Sequence, residues 1–237
     1  MKIYAIADLH LSFDKRIDKP MDVFGVGWDD HAERVKSAWA ELVTDDDIVI
    51  VAGDISWGLK LDEAMADLDW IHELPGQKVL LRGNHDLWWC RIQHLRTLYD
   101  DMHFLQNYCY YIEPLDLAIC GSRGWPTPDT VSYTEHDEKM YLREQGRLRN
   151  SLVEAKKKGA SKIIMAMHYP PAKVEETEFT RIMQEYGVTQ CVYGHLHGMV
   201  AWTNGIKGEH GGIDYKLVSL DYLGARPKLI YDSEQEM

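Results

Sequence analysis

The sequence has no run approaching the ~18 uncharged apolar residues that a membrane-spanning helix needs. Its amino terminus, Met1-Lys2-Ile3-Tyr4-Ala5-Ile6-Ala7, reaches Asp8 before a signal-length apolar stretch can form. A soluble, cytoplasmic protein is therefore expected. Cysteine is scarce: Cys90, Cys109, Cys120 and Cys191 form no C-x-x-C pair, so neither a disulfide scaffold nor a thiolate zinc site is indicated. Positive charge is also in short supply, with 26 Lys and Arg against 38 Asp and Glu and a net charge of −12. That balance repels nucleic-acid backbones and anionic membranes, so phosphate recognition would need a local positive site. Internal repeats, low-complexity tracts and Pro/Gly/Ser linkers are absent, and the 237 residues read as a single domain, 1–237.

What the chain does have is a succession of short β-branched apolar runs separated by helical patterns, the signature of an α/β layered fold. The runs are Ile3–Ala7, Ile48–Ala52, Lys78–Leu81, Ile163–Met167 and Cys191–Tyr193. Between them, the patterns predict a helix starting at Asp29 or Asp30, with Val35, Ala38, Trp39 and Leu42 on one face. A second is predicted from Leu61 to Leu74, and a long one from about Thr134 to Lys158 that Gly159 stops. The aromatic-rich segment Met102–Cys120 reads as antiparallel strands, with further strands near Tyr215–Leu220 and Lys228–Tyr231 and a frayed tail from Asp232.

Each of the five runs is followed by residues that bind metals or move protons. They are Asp8-Leu9-His10, Gly53-Asp54, Gly83-Asn84-His85-Asp86, His168 and Gly194-His195-Leu196-His197. In open α/β sheets the carboxyl edge is where loops converge and ligands bind. Carboxylate, carboxamide and imidazole donors together suit Mn, Fe or Zn ions. Two such ions about 3.5–4 Å apart can clamp both sides of a displacement at phosphorus. They would also supply the positive charge that the bulk composition lacks.

In that order, D-x-H, G-D, G-N-H-D, a lone histidine after a strand and G-H-x-H resemble the calcineurin-like metallophosphoesterase superfamily, over Asp8 to His197. The resemblance implies a four-layer α/β/β/α sandwich of two mixed sheets flanked by helices. It implies one ion on Asp8, His10 and His197, a second on Asn84, His168 and His195, and Asp54 bridging them. His85 would be the general acid. A hydroxide bridging the ions would attack phosphorus in line, hydrolysing a small phosphodiester, nucleotide or phosphomonoester. The serine/threonine phosphatase branch reads G-D-x-x-D-R-G in the second block; here Trp57 and Gly58 replace its carboxylate and arginine, so what orients His85 is left open. Asp86 reads as a supporting carboxylate or a helix cap.

Around this set, Trp57 and Trp125 are candidates to line the site beside a planar group, whereas Trp88 and Trp89 read as core. Arg123 is a candidate phosphate clamp and Arg82 a less independent one. His31 and the stretch Val23–Trp28 extend the loop after His10 and could fold over the ions. Two other functions compete: a metal-binding scaffold of weak catalysis, and a nuclease, which the acidic balance disfavours. The expected partner is a small phosphorylated molecule, with no membrane and no general nucleic-acid binding.

Overall fold

Strands buried on both faces are apolar along nearly their whole length, and after a polar start the expected runs behave this way: β1 (Lys2–Ile6), β2 (Ile48–Ala52), β3 (Gln77–Leu81), β7 (Lys162–Met167) and β8 (Gln190–Tyr193). The computed structural model describes residues 1–25 and 27–235. Val26 of the glycine-flanked stretch, and Glu236 and Met237 of the tail, lie outside the described residues.

A five-stranded sheet has the order β11-β1-β2-β3-β4, where β4 is Met102–Leu105 and β11 is Lys228–Asp232. A six-stranded sheet has the order β5-β6-β7-β8-β10-β9, with β5 Cys109–Ile112, β6 Leu117–Ser122, β9 Gly208–His210 and β10 Ile213–Leu217. Both are mixed, because β11, β5 and β9 run antiparallel to their neighbours at the sheet edges.

Helices α1 (His31–Leu42) and α2 (Leu61–His72) cover the first sheet, where Val35, Trp39, Leu68 and Ile71 pack on Tyr4, Ile6, Val49 and Leu80. Helices α4 (Glu135–Lys157) and α5 (Glu178–Glu185) cover the second, where Leu148, Leu152, Phe179 and Ile182 pack on Met165, Cys191 and Tyr193. A third apolar layer lies between the sheets, with Ile3, Ile50 and Val79 facing Ile119, Ile164 and Val192. Three apolar layers separate four layers of structure, which is the expected α/β/β/α sandwich. At ~1.5–3 kcal/mol for each fully buried large aliphatic side chain, layers of this size hold the fold without covalent staples, and all four cysteines are free.

Two expectations change. The middle segment is not all antiparallel: β4 pairs parallel to β3 and extends the first sheet, while only β5 and β6 form an antiparallel pair. The short α3 (Ile92–Leu95) lies on the crossover that allows this. Asp30 does stand at the start of α1, but in a left-handed conformation (φ 46°) with no side-chain capping bond. By contrast, Thr134 caps α4 by accepting from the Asp137 amide at 3.3 Å, and the Asp137 carboxylate accepts in return from the Thr134 amide.

Candidate metal centre

Every block expected at a strand end arrives at the same rim. Asp8 and His10 follow β1, Asp54 follows β2, Asn84 and His85 follow β3, His168 follows β7, and His195 and His197 follow β8. The loops after β1 and β2 are joined backbone to backbone: the amides of Asp8, His10 and Leu11 donate to the carbonyls of Gly53, Asp54 and Ile55 at 2.9–3.0 Å. Along these joined loops Asp8 (φ 62°), His10 (φ 46°) and Asp54 (φ 51°) are left-handed, as is His195 (φ 72°) after β8. Such strain persists only where surrounding contacts overdetermine it, and it gathers at functional sites.

Two glycines of the blocks are fixed by crowding. A Cβ on Gly83 would stand 2.1 Å from Asp54 Oδ1, and one on Gly194 would stand 2.7 Å from Asp8 Oδ2. The carboxylates can lie this deep only because the facing backbone carries no side chain.

The donors form two clusters, Asp8 with His10 and His197, and Asp54 with His168 and His195; within each, the potential ligand atoms lie within 4.8 Å of one another. Asn84 joins the second, its Oδ1 2.7 Å from His168 Nε2, which is itself 3.2 Å from His195 Nδ1. Asp54 Oδ2 stands between the clusters, 3.4 Å from His168 Nε2 and 3.8 Å from His10 Nε2.

The imidazoles are oriented in different ways. His168 Nδ1 faces the Ala52 carbonyl at 3.1 Å, which turns Nε2 inward. His197 Nδ1 lies 3.0 Å from Asp221 Oδ1, while Asp221 Oδ2 accepts from the Gly198 amide at 2.9 Å; His197 Nε2 is 3.8 Å from Asp8. His10 has no such brace. Its Nδ1 is buried without a partner, and the ring stacks on Trp57 with centroids 4.7 Å apart and planes 20° apart.

Electrostatics follow from burial. Burial pushes the Asp8 carboxyl up to about 6 against the pull of His197 and His168. Burial also acts upward on Asp54, but the charge of His168 and its hydrogen bond outweigh that, so Asp54 is held below the usual carboxylate range. His168 is desolvated too, yet the charges of Asp54 and Asp8 raise it to about 9. Burial lowers His10 and His195 to about 3. Two buried carboxylates therefore make a field that favours positive charge, beside two imidazoles, His10 and His195, that burial keeps neutral with lone pairs to offer. A mixed oxygen and nitrogen donor set in two adjoining clusters, with one carboxylate between them, fits a pair of divalent transition-metal ions.

His85 sits at the rim with its residue exposed, its amide donating to Asp54 Oδ1 at 2.8 Å. Among the described residues no carboxylate hydrogen-bonds its ring. Trp57 packs against it instead, centroids 4.5 Å apart, so an indole stands beside His85 at the sequence position where the protein-phosphatase branch has a carboxylate. Asp86 is a brace and caps no helix: its carboxylate accepts from the Ile55, Ser56 and Gly83 amides and from Trp88 Nε1 at 2.7–3.2 Å, tying the loops after β2 and β3 together. Trp88 and Trp89 are core.

A cavity of about 430 Å³ opens over the clusters, and Trp57 borders it together with Met21, Phe24 and Trp28 from the loop after β1. His31 supports that loop, its Nε2 3.0 Å from the Leu9 carbonyl. Trp125 and Arg123 lie outside this lining. Trp125 Nε1 donates to Asp137 at 2.9 Å and the Arg123 guanidinium stacks on its ring at 4.5 Å, while Arg82 donates to the Asp86 carbonyl at 3.2 Å. Asp221 is the site residue that sequence reasoning missed. It lies 24 positions beyond His197 in a loop after β10, with no local motif around it.

Comparisons with known proteins bear on the fold and the family. The Gene 66 protein of Mycobacterium phage L5 is 38% identical over 82 residues, which cover 34% of this chain and 37% of that protein, so the match spans little over a third of its length. The Aquifex aeolicus protein AQ665 aligns over 99% of this chain and 96% of its own with a TM-score of 0.53 at 15% identity. The Thermus thermophilus protein TT1561 aligns over 96% and 97% with a TM-score of 0.54 at 12% identity. At such identities these two share the fold. The family model for calcineurin-like phosphoesterases matches residues 1–199, most of the chain and every block at the rim, and the protein belongs to that family.

Proposed function

We propose that the protein is a phosphoric ester hydrolase working with two divalent transition-metal ions (Mn, Fe or Zn) on a small phosphodiester, nucleotide or phosphomonoester. The observation that carries this reading is the pair of donor clusters with Asp54 Oδ2 between them. Asp8, His10 and His197 would hold one ion, Asn84, His168 and His195 the other, and Asp54 would touch both. When bound, the ions supply the positive charge that acidifies a water and polarises phosphoryl oxygens.

The chain's own residues do the rest. Asp221 orients His197 through its Nδ1, and Trp57 holds the His10 and His85 rings by packing. His85 hydrogen-bonds the phosphoryl group and delivers a proton to the leaving oxygen. Burial lowers its pKa, which makes its imidazolium a stronger acid. The wall formed by Met21, Phe24 and Trp28 keeps bulk water from one side of the reacting centre.

A panel of p-nitrophenyl mono- and diesters, assayed with added Mn²⁺ and after chelation, tests the reading. Metal-dependent release of nitrophenol supports it. Inactivity with every metal favours the scaffold, and cleavage of oligonucleotides alone favours a nuclease.

A further inference from the structure

The cavity above the two clusters is asymmetric. Its floor is polar, built from Asp54 and imidazoles including His85 and His195. The wall beside that floor is apolar, made by Met21, Phe24, Trp28 and Trp57. The Trp57 indole N–H is already used, 3.3 Å from Met21 Sδ, so this edge of the wall offers no spare donor. Trp28 lies edge-on to His197, centroids 5.3 Å apart, which brings its indole against the donor clusters.

Phe24 is 68% exposed, a large apolar ring held in water at the mouth. That ring adjoins the cavity wall and is free to pack on a ligand seated there. At about 430 Å³ the cavity lies toward the lower end of the ~300–1,000 Å³ range of small-molecule sites. It suits one compact ligand.

Charge narrows the choice further. Among the described residues bordering the cavity there is no lysine or arginine, and the carboxylates present are Asp54 and Asp221. Lys19 is exposed and places its ammonium 5.6 Å from the Trp57 ring centroid, outside the lining. A phosphate lying over the metal clusters would be compensated there. A second or third phosphate extending along the wall would meet apolar carbon and a carboxylate, with no lysine or arginine among the lining residues and only the exposed, solvent-screened Lys19 nearby.

Building on the phosphoesterase reading, we infer that the ester taken here carries an uncharged aromatic group on its alcohol, seated against Met21, Phe24 and Trp28, and that nucleoside triphosphates are poor substrates. The apolar wall acts in the ground state and the transition state alike, so it raises kcat/KM mainly through KM.

The test compares two esters of primary alcohols, benzyl phosphate and ethyl phosphate, with ATP as the polyanionic control. Burying the phenyl ring should favour benzyl over ethyl phosphate by about 10- to 100-fold in kcat/KM. Phe24→Ala and Met21→Ala should each narrow that ratio by roughly three- to tenfold, with circular dichroism confirming the fold. Calorimetry gives a readout free of turnover: benzylphosphonate should bind the metal-loaded protein more tightly than ethylphosphonate, and less so in the two variants. A ratio near one, a ratio indifferent to both variants, or preferred hydrolysis of ATP would overturn the inference. Hydrolysis of no ester with any metal would instead refute the phosphoesterase reading, and the two phosphonates would still decide whether the wall binds an aromatic group.

Discussion

Replacing Asp221 with alanine removes the only carboxylate that braces an imidazole of the first cluster through its far nitrogen, among the described residues. Its Oδ1 stands 3.0 Å from His197 Nδ1 and its side chain is 7% exposed, so water replaces the bond poorly. The bond raises His197 against the downward pull of burial, which makes the ring a more basic donor. A hydrogen bond to a charged group contributes ~1.5–3 kcal/mol, and loss of such a brace typically weakens metal binding about 10- to 100-fold, or ~1.4–2.7 kcal/mol. Asp221→Ala should therefore bind the first ion 10- to 100-fold more weakly, with a smaller loss for Asp221→Asn, which keeps one acceptor. The second cluster, with donors 2.7–3.4 Å from His168 Nε2 and without Asp221, should bind as before. Titration of chelator-treated protein with Zn²⁺ or Mn²⁺ by calorimetry would show two classes of site in the wild type, one of them shifted in the variant. Wild-type affinity at both sites in Asp221→Ala would refute the idea that this carboxylate orients His197 for a metal.

Three further outcomes follow from the same geometry. His85→Ala should lower turnover by about 10²- to 10⁴-fold while metal content, read by elemental analysis, stays near two per chain; loss of both ions would mean that His85 is a ligand. Gly83→Ala forces a methyl to 2.1 Å from Asp54 Oδ1 and should cost at least the ~1–3 kcal/mol typical of overpacking, seen as a lowered melting temperature together with lost metal binding. Asp67, fully buried with Ser56 and the Phe13 amide as its partners, has its carboxyl pushed up to about 6 by burial, with Asp14 adding. A raised carboxyl stabilises the fold fully below its unfolded value near 3.8 and loses that contribution as pH rises through about 6. The stability of the wild type relative to Asp67→Asn, from urea unfolding, should accordingly fall by ~2–3 kcal/mol between pH 4 and pH 7; a flat difference would contradict it.

The five strands were legible because each is covered on both faces, which leaves an unbroken apolar run ending abruptly in Asp, Asn or His. The site was legible for the same reason: parallel strands deliver their carboxyl ends to one rim, so residues far apart in sequence needed no contact prediction to be placed together. Pairing was less readable. Met102–Leu105 looks like any short aromatic strand, and only the crossover through α3 makes it parallel to β3. Helix α5 carries a readable signal, with Phe179, Ile182 and Met183 buried behind the Thr177 cap. The exposed β9, Gly208–His210, carries none. Asp221 could not be found by pattern, since a single aspartate in Ser219-Leu220-Asp221-Tyr222 acquires meaning only when the loop after β10 folds against His197. Trp57 illustrates a different limit. The sequence marked it as standing in for a carboxylate, but only the packed rings show that it can steer two histidines without a hydrogen bond.

The most direct measurement is anomalous diffraction from crystals of the protein loaded with manganese or zinc. Two ions should appear, about 3.5–4 Å apart, one against Asp8, His10 and His197, the other against Asn84, His168 and His195, with Asp54 touching both. A single ion, or ions bound away from these seven side chains, would contradict the account.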